Sequence, residues 1–300
     1  MPGRTPTPGG RTMSDSVSVV VVGVDGSAES AAAARWAASD ALRRRVPLRL
    51  VHVVPEGGGL PHPEAAGERL PDFAVALRAE FAHALPQLDV SCEAVPGHPW
   101  STLVAAGERA GLLVLGSTGP GVVTGRLLGS VALRAAGEAR CPVVLVPVGA
   151  AGPDGGSGGV VVGLRGERQS DAVLEFAFEE AARRGAPLRA LEGRVEPDAP
   201  LRTDAPVGPE EIRRSLVESR TVRLRDALAH WRGKFPEVRT EAEVSGRGAA
   251  RTLLEASRGA DLLVLGRRAP AHPMAAPKPG PVAHAVIHHA HGPVAVVPHD

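Results

Sequence analysis

The sequence predicts an α/β protein made of two doubly wound, five-stranded parallel sheets in tandem. Three observations predict it. Short Val- and Leu-rich runs bounded by Gly or Pro alternate with Ala-rich stretches of helical pattern. The same four segments recur in the same order: VSVVVVGVDGS (17–27) with GVVVGLRGE (159–167), RWAASDALRRRVPLRLVHVVPE (35–56) with EFAFEEAARRGAPLRALEGRVE (175–196), GLLVLG (111–116) with DLLVLG (261–266), and CPVVLVP (141–147) with GPVAVVP (292–298). The offset drifts only from 140 (Gly23 to Gly163) to 151 (Cys141 to Gly292). A Gly-rich stretch, GAAGPDGGSGG, separates the copies. These marks divide the chain into a disordered tail (1–16), a first domain (17–148), a flexible linker (149–158) and a second domain (159–300).

In order along the first copy, VVVV, LRLVHVV, LDVSCEAV, LLVLG and VVLVP read as strands. Their almost unbroken apolar character suits parallel strands covered on both faces. Between the first two, AESAAAARWAASDALRRR (28–45) reads as a helix with Ala33, Trp36, Ala37 and Leu42 turned inward. Further helices are expected over about 64–85, 99–109 and 130–139. On such sheets ligands sit beyond the carboxyl ends of the strands, where the winding reverses. The loops after VVVVG, LVHVV and LLVLG meet there.

Composition narrows the function. No run of 18 apolar residues exists, so no membrane span is expected. The opening MPGRTPTPGGRTMSDS has no apolar signal core, and Met13 offers a second start. Cys92 and Cys141 lack metal or redox spacing, which fits a reducing cytoplasm. A net charge of +1 and an aromatic share of 3% without Tyr argue against nucleic acid as a partner.

The chemistry concentrates in GSTGPGVVTGRLLGS (116–130), which directly follows LLVL. Gly116, Gly119 and Gly129–Ser130 let main-chain amides crowd one oxygen cluster, and the helix they open presents free N–H groups. A Walker loop is excluded, because lysine occurs only at Lys234 and Lys278. The dinucleotide fingerprint is excluded too, because the first strand ends in GVDGS. By the residues alone, a phosphate cradle and a glycine-rich turn ending in a helix cap both stand.

G-x2-G-x9-G-S after a strand, with VGVDGS near the start and LVHV in the second strand, resembles the universal stress protein family over both copies. The resemblance implies a flavodoxin-like, Rossmann-like domain in each copy and, for members with this glycine motif, ATP binding, with or without Mg. Matched position by position, it assigns Asp25 and Val53 to the adenosine end, with Gly23 and Val24 as the wall beside them. Leu115, Gly116, Gly119, Gly129, Ser130 and Val131 fall to the phosphate end. Pro120 stands where many relatives are basic, which leaves Arg126 either to reach the terminal phosphate or to stay solvated. Asp25 also reads as a cap for the first helix with Ser27. His52 reads as a packed core residue on the opposite face from Val53.

The second copy looks degenerate. Arg165 stands at Asp25, Ala269 at Gly119, and Gly280–Pro281 at Gly129–Ser130. Arg165, Arg267 and Arg268 could hold a different anion. His284 and His288 are one turn apart, either as two metal ligands or as an exposed helix face. The expected function is regulatory ATP binding in a stress response, with the second domain as docking partner and hydrolysis slow at most. The alternative is a nucleotide-independent scaffold. The resemblance also suggests pairing of VVLVP with VAVVP inside one chain as a pseudo-dimer; whether two chains then form a homodimer is not written in the sequence.

Overall fold

The structure, a computed structural model, describes residues 19–55, 70–117, 129–150, 158–165, 170–193, 209–268 and 279–299. The first half runs β1 (Val20–Gly23), α1 (Ala28–Arg44), β2 (Leu48–Val54), α2 (Asp72–Ala84), β3 (Val90–Pro96), α3 (Pro99–Gly107), β4 (Leu112–Gly116), α4 (Ser130–Glu138) and β5 (Val143–Val146). The second runs β6 (Val160–Leu164), α5 (Asp171–Arg184), β7 (Leu188–Gly193), α6 (Pro209–Ala227), α7 (Ala229–Lys234), β8 (Thr240–Ser245), α8 (Ala249–Ala256), β9 (Leu262–Arg268), α9 (Pro281–His289) and β10 (Val294–His299). The 1–16 tail, linker residues 151–157 and the first part of the helix expected over 64–85 lie outside the described residues.

All ten strands share one sheet, ordered β3-β2-β1-β4-β5-β10-β9-β6-β7-β8. Every neighbouring pair within a half is parallel. At the centre β5 and β10 run antiparallel, with Val144 opposite Ala295. Each half therefore has the winding order 3-2-1-4-5, and the α/β class read from the sequence holds. Alternation sends side chains to two cores. Val20, Val22, Leu48 and Leu50 pack with α1, α2, α5, α6 and α7 on one face, while Val21, Val51 and Val53 share the other face with α3, α4, α8 and α9. Among the described residues no helix is long and apolar enough to cross a membrane.

Where α1 meets α5, the expected inward stripe needs a correction. Ala33, Trp36 and Ala37 are buried, but Leu42 is only half-buried. The covered stripe continues instead through Asp40, Ala41 and Arg44, which keep the i, i+3, i+4, i+7 spacing. Asp40 and its counterpart Glu180 on α5 are both 0% exposed. They form an alternating ring with Arg44 and Arg184: Arg44 Nε donates to Asp40 at 2.6 Å and Arg184 Nη2 to Asp40 at 2.7 Å, while Arg44 and Arg184 both donate to Glu180. Arg44 lies over Phe176 and Arg184 over Trp36, each 5.6 Å from the ring centroid. Every member has its counterpart 140 residues on, so the junction is a pseudo-two-fold contact.

Candidate functional site

A cavity of about 480 Å³ opens where β1, β2 and β4 end, between the N-terminal turns of α3 and α4. It adjoins the β1–β4 pair, where the winding reverses. Of the sequence-predicted residues, Gly23, Val24, Asp25, Val53, Leu115, Gly116, Gly129, Ser130 and Val131 line it. Gly119 and Arg126 lie outside the described residues.

Local sequence explains the shape. A Cβ on Gly116 would lie 3.0 Å from the Glu29 carbonyl carbon, a tight contact, so glycine is what lets β4 end close beneath the first turn of α1 without a shift. Ser117 N–H donates to Val146 O at 3.0 Å, and Gly129 N–H donates to Ser117 O at 2.9 Å, which pins both ends of the glycine loop together. Gly129 then opens α4 with extended dihedrals (φ −64°, ψ 144°) and without a side-chain cap, leaving first-turn amides for another acceptor. Val53 and Leu103 supply an apolar wall.

Asp25 serves the helix and the cavity together. Ser27 caps α1, its Oγ accepting from Ser30 N–H at 3.1 Å. Asp25 Oδ1 accepts from Ser27 N–H at 2.9 Å and from Ser27 Oγ at 2.5 Å. Among the described residues, both bonds to this exposed carboxylate fall on Oδ1. His52 corrects its expectation: it is half-buried, and it lines the cavity. Its Nδ1 donates to Val24 O at 2.9 Å, with Phe73 edge-on at 5.2 Å, so it props the β1 exit instead of filling the core. Sequence reading also missed Pro99 and Leu103, whose only signal was a proline placed to open α3.

The second half differs at each of these places. Gly193 stands at the position of Val53, and a Cβ there would lie 2.1 Å from Ala249 Cα, so the α8 backbone presses on β7. β9 and β10 stay paired through Arg268 and His299, whereas β4 and β5 part after Gly116 and Val146. Pro281 opens α9, as read, and Ala269 lies outside the described residues. Arg165 and Arg268 are exposed, but Arg267 is buried and donates through Nη2 to Ala139 O in the first half. That commits one member of the expected anion cluster to the junction. His284 and His288 have ring centroids 4.4 Å apart, the first exposed and the second half-buried. Among the described residues no group of three or more His, Cys, Asp or Glu is placed to hold a metal.

A model of the universal stress protein family matches residues 17–147 and again 158–298. The chain belongs to the universal stress protein family. A universal stress protein of Mycobacterium bovis is 35% identical over 291 residues, covering 92% of this chain and 96% of its own. The crystal structure of a universal stress protein from Archaeoglobus fulgidus superposes with a TM-score of 0.60 at 15% identity, over 93% of this chain and 98% of that one. Another universal stress protein, solved in complex with cAMP, is 28% identical and covers 43% of this chain and 96% of its own, with a TM-score of 0.34.

Proposed function

We propose that the first half binds an adenine nucleotide, ATP with or without Mg, and that the second half is its nucleotide-free docking partner in a regulatory protein. The observation that carries this reading is convergence: a carboxylate with one oxygen unbonded among the described residues, an apolar wall and an uncapped helix N-terminus share one cavity. Its volume falls within the usual range for ligand sites. The residues fit the ligand. Asp25 would accept from a ribose hydroxyl or the adenine amino group, Val53 would pack on the base, and Gly129, Ser130 and Val131 would donate to phosphate. Four or five charge-assisted bonds of roughly 1.5–3 kcal/mol, less the cost of association, support binding near the micromolar range.

The side chains favour holding over cutting. Among the described residues, Asp25 and His52 are the ionisable ones lining the cavity, and both are engaged at the β1 exit. Fast hydrolysis is therefore not expected. The antiparallel pairing of β5 with β10 occupies, within one chain, the strands through which two separate domains would otherwise meet. This supports an intrachain pseudo-dimer.

Titration calorimetry of the full chain with ATP, and mass spectrometry of nucleotide released from fresh protein, test the reading. Near-micromolar binding at one site per chain is expected. Protein that purifies empty and ignores millimolar ATP, ADP and AMP would overturn it in favour of a scaffold.

A further inference from the structure

Helix α4 points its N-terminus into the cavity, and its C-terminus ends at the junction between the halves. That end lacks a charge partner of its own: no basic residue occupies the last turn. Arg140, just beyond, is exposed. Ala139, which closes the helix, is 0% exposed, so its carbonyl needs a partner from the protein. The partner is Arg267 of the second half, whose Nη2 donates to it.

Arg267 is an unusual residue for that place. Only 6% of it is exposed, and among the described residues its Nε has no hydrogen-bond partner and it makes no ion pair. The neighbouring Cys141 thiol brings no charge, because burial pushes its pKa up to about 11. A buried guanidinium is costly without compensation. What compensates it here is the carbonyl of Ala139, the residue that closes α4 in an extended conformation (φ −61°, ψ 143°), beside the helix's negative end. Arg267 directly follows Gly266 and so stands where Ser117 begins the glycine loop of the first half. The degenerate copy has turned its loop position into a support for the intact one.

We propose that Arg267 is a positioning residue for the nucleotide site: it fixes the far end of α4 and so sets the helix whose first turn meets the phosphates. The inference rests on the nucleotide reading.

The test compares ATP with adenosine in the full-length protein, because only ATP engages the α4 N-terminus. In Arg267→Met and Arg267→Gln, ATP affinity is expected to fall about three- to ten-fold while adenosine affinity stays unchanged. Arg267→Lys, which keeps the charge, should keep the wild-type ratio. Should Arg267→Met not fold, Arg267→Gln still offers Ala139 a donor, and the ratio of affinities does not depend on how much protein is folded. Equal losses for ATP and adenosine, or a neutral variant that binds both as wild type does, would overturn the inference. A wild-type chain that binds neither ligand overturns the nucleotide reading and this inference with it.

Discussion

The two halves agree where α1 meets α5 and disagree where they face a ligand. At the junction Trp36, Asp40 and Arg44 answer to Phe176, Glu180 and Arg184, in the same roles. At the sheet ends Asp25, Val53 and Ser130 answer to Arg165, Gly193 and Pro281, and only the first set lines a described cavity. An isologous contact uses one patch twice, so a change on either side spoils both. A ligand site belongs to one half alone, so one copy can drift while the other is kept. The contrast teaches that repeat symmetry persists where physics couples the copies and lapses where it does not.

The largest effect should come from breaking the symmetric part. Asp40→Ala leaves Arg44 and Arg184 with one carboxylate between them, and Glu180→Ala does the same from the other side while also taking one of two carboxylates from the half-buried Arg183, which keeps Glu179. Each should cost about 3–5 kcal/mol, and the two costs should be similar. Chemical denaturation of the full chain measures both. Strongly unequal costs would mean that the ring is not a two-fold element. Acid offers an independent approach. Burial pushes the Asp40 carboxyl up, but the charges of Arg44 and Arg184 outweigh it and hold its pKa below the usual carboxylate range. A depressed folded pKa contributes stability in full above the unfolded value, about 3.9. That contribution is lost as pH falls through the still lower folded value. Asp40 should therefore not govern stability between pH 5 and pH 8.

A smaller effect should come from imposing the second half's chemistry on the first. Ser130→Pro copies Pro281 and removes one amide and one hydroxyl from the cavity. Proline is tolerated at the first helical position, so the melting temperature should barely move. ATP affinity should fall at least about ten- to a hundred-fold by calorimetry, the worth of one charge-assisted bond. An unchanged affinity would show that the α4 terminus does not meet phosphate. The reverse exchange, Arg165→Asp with Pro281→Ser, should create no site, because α8 still lies against Gly193.

Much of this asymmetry was legible in the sequence, for identifiable reasons. Valine runs and paired Pro47 and Pro187 announced the strands, since parallel strands are apolar on both faces. The glycine spacing announced the cavity floor, because the backbone of α1 approaches Gly116 closely enough to crowd a Cβ there. Charge at an inward position misled: Leu42 was read as inward and Asp40 and Arg44 were not, because Arg184 and Glu180, the partners that cover them, lie 144 and 136 residues away, where no local period can see them. His52 misled through alternation, which gives the face of a strand but not how near its end a residue stands. Gly193 was visible in the repeat, but its consequence depends on where α8 packs. Arg267 was read as an anion ligand, and only tertiary structure shows which end of which helix it serves.

The finest contrast lies at the first turns of α1 and α5. Both have serine at the cap, but Ser27 accepts from Ser30 N–H while Ser170 makes no side-chain cap bond. Ser27→Ala should therefore cost about 1 kcal/mol, and Ser170→Ala no more than about 0.5. Denaturant midpoints at constant slope separate the two. The pair also asks whether Asp25 is held for the helix or for the ligand. Removing the Ser27 hydroxyl deletes one bond to Asp25 Oδ1 and leaves the one from Ser27 N–H. If the carboxylate is placed chiefly by that backbone bond, Ser27→Ala will lower stability without weakening ATP. A parallel loss of affinity would instead show that the cap and the adenosine contact are one unit, and would tie the first half's helix start to its ligand in a way the second half, with Arg165, has no means to copy.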